Sequence, residues 1–281
     1  MDNNQNKNRN AIRRSVLIFS VILFSLIFLG GSIVFVLSYS QIIRDNTGHE
    51  LVKGIEIERI KLEASVNGEI ALALKMATSP VVIKHFLDPT DASLRRIAID
   101  EIEGYRQSFA SGTVFWATDF DKEFYFSETD HYTINTEDRN NYWYRMTLYE
   151  TEKYNFNINY NSEIQKIMLW INAPVFDSSR TPIGLVGTGI DLTEFVGSIY
   201  KNHTDKSIVY FFNEEGEITG ARNSKLAEDK VKIAAELGET GNEIFVKSKK
   251  LGSDEYQYFE SAEGVTAISR VPALGWYITA I

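Results

Sequence analysis

The sequence predicts an α+β protein: one transmembrane helix, a long helix continuing from it, and two modules of mixed strands and helices in series. Three observations carry this. Residues 15–43 contain no Asp, Glu, Lys, Arg or His. A helical period then runs to about residue 78. Beyond residue 110 the apolar pattern shortens to that of strands, and a scheme of strands, helix and strands occurs twice. With 44% hydrophobic and 24% charged residues in 281, the composition is that of a globular chain with real cores.

Charge and cysteine usage exclude several functions. The net charge is −9, and Lys7, Arg9, Arg13 and Arg14 precede the apolar run, so the remainder is more acidic still. A chain of that balance lacks the basic stripe that nucleic acids require. There is no cysteine, hence no disulfide, no thiolate metal site and no Cys nucleophile. The four histidines, His49, His85, His131 and His203, are scattered without metal-ligand spacing. No nucleophile elbow, phosphate-cradling glycine loop or zinc-protease helix motif occurs, so the chain is not expected to be an enzyme or to hold a cofactor.

The apolar run can cross a hydrocarbon layer ~30 Å thick at ~1.5 Å per helical residue. A cleaved signal peptide is the competing reading, but its apolar region spans roughly 7–15 residues before a small-residue site. An uncleaved anchor is therefore expected over 15–38. The basic residues before it outweigh Arg44 after it, which keeps residues 1–14 cytoplasmic in the cell (inner) membrane. Everything from about residue 44 then lies outside.

Residues 39–78 read as one long helix. Leu51, Ile55, Leu62 and Val66 share a face, a stripe that would suit parallel pairing of two copies, while Gly54 and Gly68 weaken the helix. Ser79 with Pro80 marks its break. A shorter helix follows, and Asp91 can cap another to about residue 106. Residues 113–120 and 123–128 flank a turn at Asp121 and Lys122 and form a hairpin. Residues 155–160, 167–175 and 183–192 are three more strands, and a helix over 193–201 closes the first module, 79–201. The second module, 202–281, has strands at 207–213, 217–222, 255–261, 264–271 and 275–281, with a helix over 224–237.

This order and spacing resemble the double Cache family, extracytoplasmic sensors of chemoreceptors, sensor kinases and cyclic-dinucleotide enzymes. The resemblance covers about residues 41–281. It is carried by Trp143 and Tyr144 before the strand NFNINY, by NAPVFDSSRTPIGLVGTGIDL, and by the ending VPALGWYITAI. It implies a long helix carrying two PAS-like (Cache) modules, with ligand in the membrane-distal one. Amino-acid-sensing members carry an arginine two residues before the Trp, where this chain has Asn141, with Arg139 two further back. They carry an aspartate on the next strand, where Asn159 stands, and another on the last strand, where Gly189 stands and Asp191 lies two residues on. Arginine and paired carboxylates are what a zwitterion needs. Their absence makes a simple α-amino acid a poor expectation.

The expected ligand-binding residues are Trp143, Tyr144, Asn157, Asn159 and Asn172, with Tyr142, Arg139 and Asp191 as further candidates. The aromatic rings offer flat amphipathic walls, and core packing is their competing role. Inward-facing amides point to a polar small-molecule ligand of modest charge, although Asn157 and Asn159 could equally be solvated on an edge strand. Arg139 beside Glu137 and Asp138 could meet an anionic group or simply lie at the surface. Asp119, Asp121, Glu123 and Asp130 crowd one hairpin and could attract a cation, a solvated turn being the plainer reading. Asn202, His203 and Thr204 match the N-glycosylation acceptor pattern.

The expected function is extracytoplasmic small-molecule sensing, as the input domain of a transmembrane chemoreceptor or related receptor, within a homodimer. In the family a second membrane helix and an output domain would follow the last strand, so the chain reads as the input half of a receptor. The alternative is a tethered binding or interaction protein that presents ligand to, or senses through, a partner receptor.

Overall fold

A computed structural model describes residues 2–161, 166–202, 207–253 and 255–281. It begins with α1 (Asp2–Ala77), a single helix of 76 residues. The chain divides into two compact units, Met1–Glu50 and Leu51–Ile281. The first is helix alone. Its apolar side chains, from Val16 to Ile43, are exposed, and by length and composition the helix can cross a membrane. Asn202 ends the last described helix before residue 207, so His203 and Thr204 of the acceptor pattern lie outside the described residues.

In the second unit α1 turns an apolar face inward: Val52, Ile55, Leu62, Val66, Ile70, Ala73 and Met76 are all buried. The stripe expected to pair two copies is thus largely consumed within the chain. Gly54 and Gly68 do not interrupt the helix. Its end is sharp because Ser79 caps the next helix, accepting from the N–H groups of Val81 and Val82 at 3.2 and 3.4 Å, with Pro80 opening that helix. That helix is α2 (Pro80–Leu87), followed by α3 (Ala92–Ser108), whose Asp91 cap accepts from Ser93 and Leu94 as expected.

The first sheet contains β1 (Phe115–Thr118), β2 (Glu123–Tyr125), β3 (His131–Thr133), β4 (Asn155–Asn161), β5 (Lys166–Phe176) and β6 (Pro182–Asp191). Its order is β3-β2-β1-β6-β5-β4, antiparallel throughout. Two elements were not anticipated. β3 is three exposed residues with no alternation to betray it. Between β3 and β4 lies α4 (Tyr142–Tyr149), a helix of two turns entered from a 3-10 turn over Arg139–Asn141.

α5 (Leu192–Asn202) leads into the second sheet, β7 (Val209–Phe212), β8 (Ile218–Gly220), β9 (Tyr256–Ser261), β10 (Gly264–Val271) and β11 (Trp276–Ala280), ordered β8-β7-β11-β10-β9. The helix expected over 224–237 is two helices, α6 (Lys225–Glu228) and α7 (Ile233–Ser248). Lys230 takes a positive φ of 51° between them, and Gly238 takes φ 57° inside α7, so the chain kinks there and continues. The expected end at 237 mistook this kink for a terminus.

One face of each sheet packs with α1 in a shared core that includes Leu62, Val66, Leu169, Ile171, Val186, Phe211 and Ile278. The opposite face of the first sheet carries a separate cluster of Phe115, Phe124, Tyr144, Leu148 and Leu185 beneath α4. The opposite face of the second sheet packs Phe212, Ile268 and Tyr277 with α7 residues Ile233 and Ile244. Each sheet is thus a middle layer, helix on both sides.

Candidate functional site

The α4 side of the first sheet is built by register. β5 pairs with β4 so that Asn172 opposes Asn155 and Trp170 opposes Asn157. β5 pairs with β6 so that Asn172 opposes Gly187 and Trp170 opposes Gly189, and Gly187 opposes Phe115 on β1. Opposed residues point to the same face, so amides, glycines and aromatic rings all meet there.

The glycines make a low floor. A Cβ on Gly189 would lie 2.7 Å from Trp170 Cε3 and Cζ3, and one on Gly187 would run into the Phe115 ring and the Ile171 carbonyl. Both rings can lie over β6 only because those side chains are missing. Phe115 then meets Trp170 edge to face at 5.7 Å and stacks on Phe124 at 5.2 Å. Trp143 reaches in from α4, its ring at 86° and 5.7 Å to Phe124.

The result is a cavity of about 370 Å³. Its aromatic wall is Phe115, Phe124, Phe126, Tyr132, Trp143 and Trp170, and its amide edge is Asn157, Asn159 and Asn172 beside Tyr160. Asn172 is 1% exposed. Its Nδ2 donates to Asn155 Oδ1 at 2.9 Å and to Asn157 Oδ1 at 2.8 Å. Asn155 is oriented in turn by donating to the hydroxyls of Thr147 and Thr151 at 3.0 and 2.7 Å. Asn159 Oδ1 accepts from Trp170 Nε1 at 2.8 Å. The side-chain carbonyls of Asn155, Asn157 and Asn159 are thus each occupied by a protein donor, which fixes their rotamers before any ligand arrives.

Of the residues singled out by sequence, four line this cavity: Trp143, Asn157, Asn159 and Asn172. The other four lie elsewhere. Tyr144 is buried beside the cavity, and its hydroxyl donates to Asp119 Oδ1 at 2.8 Å. Burial, then the adjacent Asp119 carboxylate, pushes that phenol far above its ordinary value, so it stays protonated. Tyr142 is exposed and donates to the Glu150 carboxylate at 2.8 and 2.9 Å. Arg139 is exposed in the 3-10 turn. Asp191 ends β6, pairs with Lys166 at 2.7 Å and caps α5 by accepting from the Glu194 N–H at 2.9 Å.

Six lining aromatics were not anticipated, and a signal for three of them exists. Phe124 and Phe126 alternate along one strand, and Trp170 stands two residues before Asn172, which places it on the same face. The acidic hairpin is engaged in turn chemistry. Asp121 accepts from the Thr118 hydroxyl at 2.6 Å and the Glu123 N–H at 3.0 Å, Asp119 pairs with Lys122, and Glu123 meets His131 at 2.9 Å. Among the described residues no group of three or more metal-ligating side chains comes together.

Directly behind the floor, Thr188 points to the other face of β6, between Gly187 and Gly189. Its hydroxyl donates to Glu69 Oε2 on α1 at 2.8 Å, and the Ser111 N–H donates to Glu69 Oε1 at 3.1 Å. Glu69 is 2% exposed. The cavity floor and the long helix therefore share one buried hydrogen-bonded group.

The fold is that of solved chemoreceptor ligand-binding domains, the double Cache architecture. The ligand-binding domain of Mlp24, solved with asparagine, is 17% identical over 85% of this chain and 92% of that one, with a TM-score of 0.55. The sensory domain of the Campylobacter jejuni chemoreceptor Tlp3 with isoleucine bound is 15% identical over 86% and 94%, with a TM-score of 0.57. The ligand-binding domain of the Pseudomonas aeruginosa amino acid chemoreceptor PctC in complex with GABA is 15% identical over 83% and 98%, with a TM-score of 0.60. No protein-family model and no curated relative matches the sequence.

Proposed function

We propose that this chain is the extracytoplasmic input domain of a transmembrane receptor, and that a polar small molecule binds in the cavity between α4 and the first sheet. The observation that carries the reading is the cavity's position. It lies on one face of a sheet whose other face packs on the long helix, within a fold shared with chemoreceptor sensory domains. Ligand would be held by Trp143, Asn157, Asn159 and Asn172, with Trp170 and Tyr132 completing the walls. Tyr144 supports the site from behind. Tyr142, Arg139 and Asp191 are left to surface and capping roles.

In this reading α1 anchors the chain in the inner membrane over residues 15–38, with residues 1–14 cytoplasmic and the sensor outside. Residues 79–201 form the membrane-distal ligand-binding module and 202–281 the proximal one. The protein acts by binding alone, not as an enzyme. A ligand moves such a device only through unequal affinity for two arrangements. The Glu69 contact to Thr188 is where a shift of β6 would reach α1. A homodimer would use the outward face of α1, where Ile57 and Ile60 are 44% and 55% exposed.

The test is a thermal-shift screen of the full chain in detergent against amino acids, amines, organic acids, purines and sugars. A ligand at 100 times its Kd is expected to stabilise the fold by about 2.7 kcal/mol, a shift of several degrees. The shift should vanish in Trp143→Ala. A well-folded chain that responds to no compound in the panel contradicts direct sensing.

A further inference from the structure

Resting on that reading of the cavity, we infer that its ligand is an uncharged, flat heteroaromatic amide or lactam, of the nucleobase or nicotinamide kind, and not a zwitterion or an organic anion. Three properties of the wall lead there.

The first is charge. Among the described residues, none of those lining the cavity is Asp, Glu, Lys, Arg or His. Charged groups around it are committed elsewhere: Asp191 to Lys166, Asp119 to Lys122 and Tyr144, and Arg106 to Glu103 and the Phe126 carbonyl. An ammonium or carboxylate entering here would shed water without meeting an opposite charge, which is strongly unfavourable. The floor cannot supply one either, since any side chain on Gly189 would displace Trp170.

The second is shape. Trp143, Trp170, Phe124 and Tyr132 bring aromatic rings to a space of about 370 Å³. A planar ring system gains from stacking on such rings, and this gain needs no charge. The volume suits a one- or two-ring heterocycle.

The third is the hydrogen-bond pattern at the edge. Asn172 spends its N–H groups on Asn155 and Asn157, so its Oδ1 is the atom left to accept. Asn157 and Asn159 spend their carbonyls on Asn172 and on Trp170 Nε1, so their Nδ2 groups are left to donate. The edge therefore offers donors beside an acceptor. Its complement is a ring carbonyl or ring nitrogen beside an N–H, as in a lactam or a primary carboxamide.

The experiment is calorimetric titration of the full chain in detergent with uracil, hypoxanthine and nicotinamide, alongside L-asparagine, GABA and citrate. At least one of the first three should bind, with a Kd unchanged between low and high salt, because no ion pair is formed. Its affinity should fall about tenfold or more in Trp143→Ala, the loss of one stacking partner, and also fall in Asn159→Ala, whose side chain is exposed enough to spare folding. Binding confined to asparagine, GABA or citrate and lost in Trp143→Ala would overturn the ligand class while leaving the sensing role intact. A heterocycle that binds both variants as well as the parent would place the site elsewhere and overturn the inference. A chain that melts cooperatively and binds none of the six would overturn it too, and would count against the cavity as the sensing site.

Discussion

Asn172 holds the cavity edge together, joining Asn155 to Asn157 from a buried position on β5. Replacing it with Ala removes the Asn172 donor from two half-buried carbonyls, those of Asn155 and Asn157. Asn172→Ala should therefore lose about 1–3 kcal/mol in denaturant unfolding, whereas Asn159→Ala should be close to neutral. His85 tests a different kind of burial. It is 4% exposed, and desolvation, then the positive charge of Arg95, hold its pKa below the usual 6.5, with Asp121 pulling weakly the other way. The unfolded chain takes up the proton near 6.5 while the folded chain resists, so stability is full above that pH and falls below it. Between about pH 7.5 and pH 5, the melting temperature of the parent should drop more than that of His85→Gln. These residues differ in legibility. An amide between Trp170 and Pro174 in an apolar strand marks Asn172 in the sequence, because burying it demands partners. Trp170 was missed although it lies on the same face, since an aromatic in a strand reads first as core. Tyr144 shows the reverse: adjacent to Trp143 in sequence, it is turned about a third of a helical circuit away by α4, into the core.

At the scale of elements, β6 is the hinge between the two faces of the first sheet. Gly187 and Gly189 open the cavity side, and Thr188 between them grips Glu69 of α1 on the other. Removing that carboxylate strands the Ser111 N–H and leaves the Thr188 hydroxyl with the Thr113 carbonyl at 2.8 Å as its acceptor. Glu69→Ala should cost about 1–3 kcal/mol, and Glu69→Gln, which keeps an acceptor oxygen, less. Melting curves of the two variants check this. The long strands β4, β5 and β6, the break at Ser79 and Pro80, the cap at Asp91, and the long helix are all visible in period and punctuation. Three features are not. β3 has too few residues to alternate, α4 is a two-turn helix specified by the packing of its Tyr144 and Leu148 against Phe115, Phe124 and Leu185, and α7 runs through the Gly238 kink at which a helix would ordinarily stop. The buried stripe of α1 is the clearest lesson: periodicity revealed an apolar face, but only the sheets reveal what covers it.

At the scale of the molecule, one chain contains an apolar helix able to cross a membrane and a unit whose two sheets share one core against α1. The order of elements was legible because β1 and β2, β5 and β6, β7 and β8, and β9 to β11 are each joined by short turns. The occupant of the cavity was not, because six of its lining aromatics have roles that depend on register across the first sheet, from β1 to β6. The central claim is that small-molecule sensing resides in that cavity. The most direct measurement is amide hydrogen exchange of the full chain in detergent, with and without the strongest compound from the thermal-shift screen. Protection is expected in α4, β4 and β5, with a smaller change in α1 around Glu69, and little in β7–β11. Protection confined to the second sheet and α7, with the first sheet unchanged, would contradict the account.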